Sequence, residues 1–85
     1  MRAPREVVLR LYTRAGCGLC RRAEDLLRAH APRARVELVD VDGDEELVRR
    51  YGVRVPVLEV DGVEVAAYEL TPREVRRAVR AARRR

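Results

Sequence analysis

Apolar and polar positions alternate with changing period along this chain, and each change marks an element. Val7, Val8, Leu9, Leu11 and Tyr12 form a β-branched and apolar run broken only by Arg10, which predicts a buried strand over 7–13. Thr13-Arg14-Ala15-Gly16 reads as the turn that follows. From about 17 to 30 the period becomes helical. Leu19, Ala23, Leu26, Leu27 and His30 recur on one side, with Arg21, Arg22, Glu24, Asp25 and Arg28 mostly on the other. Pro32 ends that helix.

Val36 to Val41 is the second predicted strand. Asp42-Gly43-Asp44 breaks it, and Asp44 is placed to cap a short helix over 45–51 with Gly52 as its C-terminal stop. A third strand over 55–60 carries a proline at its opening, and Asp61-Gly62 signals a hairpin into a fourth strand, Val63 to Ala67. Thr71, Pro72 and Glu74 are the cap, first helical position and capping-box partner of a last helix. The order β-α-β-α-β-β-α predicts an α/β fold. Its first two strands are parallel through a right-handed crossover, the last two form an antiparallel hairpin, and a four-stranded mixed sheet is flanked by helices.

The 85 residues fit one domain spanning 1–85. A chain this short buries only about 60–65% of its unfolded surface, which argues against an enclosed large cofactor. No segment has the apolar length of a signal-peptide core or a membrane span, so a cytoplasmic protein without membrane attachment is expected. The formal net charge is +5, and all 19 basic residues are arginine; Lys, Asn, Gln, Ser, Ile, Phe and Trp are absent. That bias reflects coding composition more than function, and the lack of Asn and Gln also fits a heat-tolerant source. Arg73, Arg76, Arg77, Arg80 and Arg83-Arg84-Arg85 give the last helix a basic face and tail opposite Val75, Ala78, Val79 and Ala82. An amphipathic surface helix with late arginines on its C-terminal dipole explains this pattern. Without stacking aromatics it argues against nucleic acid, while an acidic protein partner remains compatible.

The candidate chemistry is Cys17-Gly18-Leu19-Cys20, which holds the only two cysteines. Three residues apart at a helix start, their Cβ atoms lie about 5–6 Å apart, close to disulfide reach. Position 17 sits where backbone N–H groups and the helix dipole favour an anion. A free thiol, with a pKa near 8.5, is only about 3% thiolate at pH 7, whereas helix N-termini in such motifs lower the pKa to roughly 3.5–7.5. Reversible thiol–disulfide exchange is one reading. The other is metal or iron–sulfur binding through the CxxC in a dimer, because two thiolates make half a tetrahedral site and the chain adds only His30 as a further soft ligand.

The run Leu11-Tyr12-Thr13-Arg14-Ala15-Gly16-Cys17-Gly18-Leu19-Cys20, the Val55-Pro56 pair and the stretch from Asp61-Gly62 to Tyr68-Glu69 together resemble the thioredoxin superfamily, most closely its glutaredoxin-like branch. The resemblance implies a thioredoxin-like fold and a thiol–disulfide oxidoreductase that binds no resident cofactor. It makes Cys17 the attacking thiolate and Cys20 the resolving thiol. It makes Pro56 a cis-proline and gives the Val55 backbone hydrogen bonds to an extended peptide or glutathione. Arg14 would stabilise the thiolate or meet a glutathione carboxylate, and Gly18, Leu19 and Tyr68 would line the substrate surface. Implied partners are disulfide-containing proteins or small thiols, with glutathione or a thioredoxin-reductase-like enzyme as electron donor. Two positions depart from the pattern: Leu19 replaces the usual tyrosine, and Ala66-Ala67 replaces a diglycine that lets backbone approach glutathione.

Overall fold

The structure, a computed structural model, describes residues 6–84; residues 1–5 and Arg85, the last arginine of the basic tail, lie outside the described residues. The chain runs β1 (Val8–Thr13), α1 (Gly18–His30), β2 (Arg35–Asp40), a 3₁₀ turn (Val41–Gly43), α2 (Glu45–Tyr51), β3 (Val57–Val60), β4 (Val63–Ala67) and α3 (Pro72–Arg83). The four strands form one sheet in the order β2-β1-β3-β4. β1 pairs in parallel with β2, from Val8↔Arg35 to Thr13↔Asp40. It pairs antiparallel with β3, from Leu9↔Val60 to Tyr12↔Val57. The mixed sheet is the one the element order predicts.

Strand alternation divides the core between the two faces. Leu9, Leu11, Leu58 and Val60 join Ala23 and Leu27 of α1 and Val75, Val79 and Ala82 of α3 in the larger cluster. Tyr12 and Val57 point the other way, into a smaller cluster with Val41 and Tyr51 at α2. The Tyr12 and Tyr51 rings stack there at 4.1 Å between centroids. Arg10 interrupts the apolar run because it shares the face of Tyr12 but lies exposed, beyond the smaller cluster. It bridges Glu37 on β2 at 3.0 Å and Glu59 on β3 at 3.9 Å. Among the described residues no helix is long and apolar enough to cross a membrane.

The helix starts follow the sequence signals. Thr71 accepts the Glu74 N–H while the Glu74 carboxylate takes the Thr71 N–H, a complete capping box with Pro72 behind it. Asp44 caps α2 through the N–H groups of Glu46 and Leu47. Asp61 and Gly62 both have positive φ, 48° and 86°, as a tight hairpin turn requires.

Three details differ from expectation. β3 begins at Val57 rather than 55, since Pro56 has no N–H to give the ladder. β2 begins one residue early, and the chain after it winds into the 3₁₀ turn, where the Asp40 carboxylate accepts the Asp42 N–H at 3.0 Å. Gly52 ends α2 in a right-handed conformation (φ −52°, ψ −39°), not the left-handed one that usually selects glycine. Glycine is needed there for space, because a Cβ would lie 2.5 Å from the Val48 carbonyl oxygen.

Candidate active site

β1, an interior strand, ends at Thr13, and Gly16, with φ +75°, turns the chain into α1. Cys17 is the N-cap of that helix, with extended backbone (φ −94°, ψ 109°). The position usually goes to Ser, Thr, Asp or Asn, whose oxygen accepts an exposed N–H of the first turn. Here sulfur takes that role: Cys17 Sγ accepts the Cys20 N–H at 3.2 Å.

One turn on, Cys20 lies inside. It is 2% exposed, whereas Cys17 is partly open to solvent. Burial, and then the hydrogen bond with Cys17, push the Cys20 thiol above its ordinary pKa; hydrogen bonds from Thr13 and the Arg14 backbone act the other way. The motif therefore holds one accessible sulfur under a backbone donor and one sheltered sulfur held as a thiol. Gly18, the first helical residue, is exposed, and a Cβ added there meets nothing within 4 Å. The surface beside Cys17 is open.

The Val55–Pro56 peptide bond is cis. The β1–β3 register places Pro56 level with Thr13, one step past the Tyr12↔Val57 pair, at the end of β1 from which the cysteine loop springs. Pro56 is buried, Val55 is half-buried, and the Pro56 carbonyl accepts the Tyr68 N–H at 2.9 Å. Tyr68 has φ +67° and half its surface exposed. With Leu19, Arg22 and Glu69 it lines a groove of about 250 Å³ alongside α1. The fold thus brings Leu19 and Tyr68 together across a gap of 49 residues (68 − 19).

Arg14 makes two attachments. Its Nη2 donates to Asp42 Oδ1 at 2.6 Å and its Nε to Asp42 Oδ2 at 3.1 Å, while Nη1 donates to the Gly52 carbonyl at 3.1 Å. The guanidinium is raised above its ordinary pKa chiefly by Asp42, with Cys17 the smallest contributor, and it holds the Asp42 carboxyl below the usual carboxylate range. Sequence reading passed over Asp42, seen only as a turn residue, and Thr13, whose side chain reaches Cys20. No local pattern marks either residue.

Among the described residues no group of three or more His, Cys, Asp and Glu is placed to hold a metal ion. Four-coordinate binding through Cys17 and Cys20 would need ligands from a second molecule.

No curated relative matches the chain. The family model described as "Glutaredoxin-like domain (DUF836)" matches residues 8–80. A structural-genomics target protein from X. campestris is 35% identical, with 86% of this chain and 96% of that one covered at a TM-score of 0.76. A protein from Nitrosomonas europaea is 33% identical, covering 88% and 91% at a TM-score of 0.69. A mutant thioredoxin from Halobacterium salinarum is 29% identical, covering 89% and 74% at a TM-score of 0.65. With its sheet order, its two-sided core and a family match over residues 8–80, this chain belongs to the glutaredoxin-like domain (DUF836) family of the thioredoxin superfamily.

Proposed function

We propose that this protein is a cytoplasmic dithiol oxidoreductase that reduces protein or low-molecular-weight disulfides. A glutaredoxin-like thioredoxin fold carrying the Cys17–Cys20 pair supports a thiol redox role. The observation that carries the finer reading is the asymmetry of the pair: Cys17 caps α1 and is partly exposed, whereas Cys20 is buried and kept protonated.

The reaction divides into two displacements. The Cys17 thiolate attacks one sulfur of the substrate disulfide, forms a mixed disulfide and expels the other sulfur as a thiolate that takes up a proton. Cys20 then loses its proton and attacks Cys17 Sγ, closing the Cys17–Cys20 bond and releasing the second substrate thiol. Two electrons have passed from the pair to the substrate. The exposed side at Gly18 and the groove lined by Leu19 and Tyr68 give the substrate chain room. In this reading the Val55 backbone pairs with the substrate beside Pro56.

Glutathione or a thioredoxin-reductase-like enzyme returns the electrons. Oxidised protein, mixed in one arm with glutathione and its reductase and in the other with thioredoxin reductase, should consume NADPH in the arm that matches its donor. Cys17→Ala should abolish turnover, and Cys20→Ala should accumulate mixed disulfides visible as mass adducts. Turnover that survives Cys17→Ala would overturn the assignment.

A further inference from the structure

About 20 Å from Cys17, at the other end of α1, a groove of about 410 Å³ opens between that helix's C-terminus and α3. Ala31 and Val79, both nearly buried, lie at its base. Arg33, Arg76, Arg80, Arg83 and Arg84, all exposed, surround it. A second hollow of about 440 Å³, lined by Arg73, Arg76, Arg77 and Arg80, continues along the same helix.

Several arginines elsewhere pair with carboxylates: Arg10 with Glu37, Arg14 with Asp42, Arg28 with Glu24 and Arg54 with Glu64. Among the described residues no arginine of α3 has such a partner. Arg76 instead lays Nη1 3.0 Å from His30 Nδ1 across the groove. The helix dipole accounts for Arg80 and Arg83 in the last turn, but not for Arg73, Arg76 and Arg77. Like charges three and four residues apart oppose the helix that carries them, so an anionic partner would relieve α3 as well as bind it.

We propose that this groove docks an acidic segment of a protein partner, an apolar side chain seated on Ala31 and Val79 and its carboxylates gripped by the arginine forks of α3. Guanidinium matches carboxylate in a two-point hydrogen bond. The apolar base favours a peptide over a nucleic acid, no tyrosine lines either hollow to stack on a base, and the one imidazole there, His30, is engaged by Arg76. α3 is about 18 Å long, the span of about six extended residues. A partner held there leaves the Cys17 end of α1 uncovered. The proposal does not depend on the redox reading, because binding is read without turnover.

The probe is a fluorescein-labelled peptide of about six residues, one leucine among glutamates, followed by anisotropy. It should bind at low ionic strength and lose affinity about tenfold or more at roughly 0.5 M salt. The same peptide with glutamine for glutamate should not bind. Arg76→Glu with Arg80→Glu should cost about tenfold or more, while Arg49→Gln with Arg50→Gln on α2 leaves binding unchanged. Arg76→Gln with Arg80→Gln, checked by circular dichroism, must show a loss in the same direction should the charge-reversed pair fail to fold. No binding, equal binding of the glutamine peptide, or an equal loss from the α2 variant overturns the proposal. So does a short DNA duplex that displaces the peptide and binds more tightly, which would assign the surface to a phosphate backbone.

Discussion

Cys17 and Cys20 sit one helical turn apart in different media, and the difference has a kinetic signature. The second displacement needs the Cys20 thiolate, yet burial, the largest cause and one that persists in the mixed disulfide, raises that thiol above its ordinary pKa. The rate of release from a preformed Cys17 mixed disulfide should therefore climb about tenfold per pH unit from about pH 6, with no plateau at or below about pH 9. Stopped-flow detection of a chromogenic leaving thiol checks this; a plateau near neutrality would mean that another group takes the proton. The sign for folding is fixed by the same shift. A thiol raised in the folded state lends stability that is complete below the unfolded thiol's range and lost as pH rises through the folded one. The cysteine pair and Val55-Pro56 were legible because their signals are local. Asp42 against Arg14 was not, since nothing in a linear pattern joins positions 28 residues apart, and Thr13 meets Cys20 only because the loop between them folds back onto α1.

Elements with a chemical start signal were the legible ones. The spacing of Thr71, Pro72 and Glu74 placed the first residue of α3, and Asp44 placed that of α2. The capping box supports a testable magnitude. Thr71→Ala removes the acceptor of the Glu74 N–H, so it should cost about 1 kcal/mol and lower Tm by roughly 4–8 °C in thermal melts. An unchanged melt would mean that packing of Val75 and Val79 alone fixes this helix end. Strand limits were less legible. Alternation says which face a residue takes but not where hydrogen bonding stops, and Pro56 and the 3₁₀ turn at Val41 moved those limits.

At the scale of the whole molecule, the element order implied the mixed sheet, but not the unequal covering of its faces. α1 and α3 bury the larger cluster on one side, while α2 contributes to a smaller one on the other, where Tyr12, Val41, Tyr51 and Val57 are the buried members. Leu58, on a central strand and fully buried in the larger layer, should be among the most sensitive positions. Leu58→Ala should cost about 2–5 kcal/mol in denaturant titration, against roughly 4–13 kcal/mol expected for a chain of 85 residues. Val53, 84% exposed, is the control, and an equal loss from Val53→Ala would show that the buried layer does not set the stability. On the thinner side, one guanidinium moors the segment leading to Cys17 onto Asp42 and the end of α2. The approach to the reactive sulfur is thus tethered by polarity rather than by grease. Because that carboxylate resists protonation, the tether slips only in acid stronger than an ordinary aspartate would need, and lysine, lacking the fork, would be a poor splice.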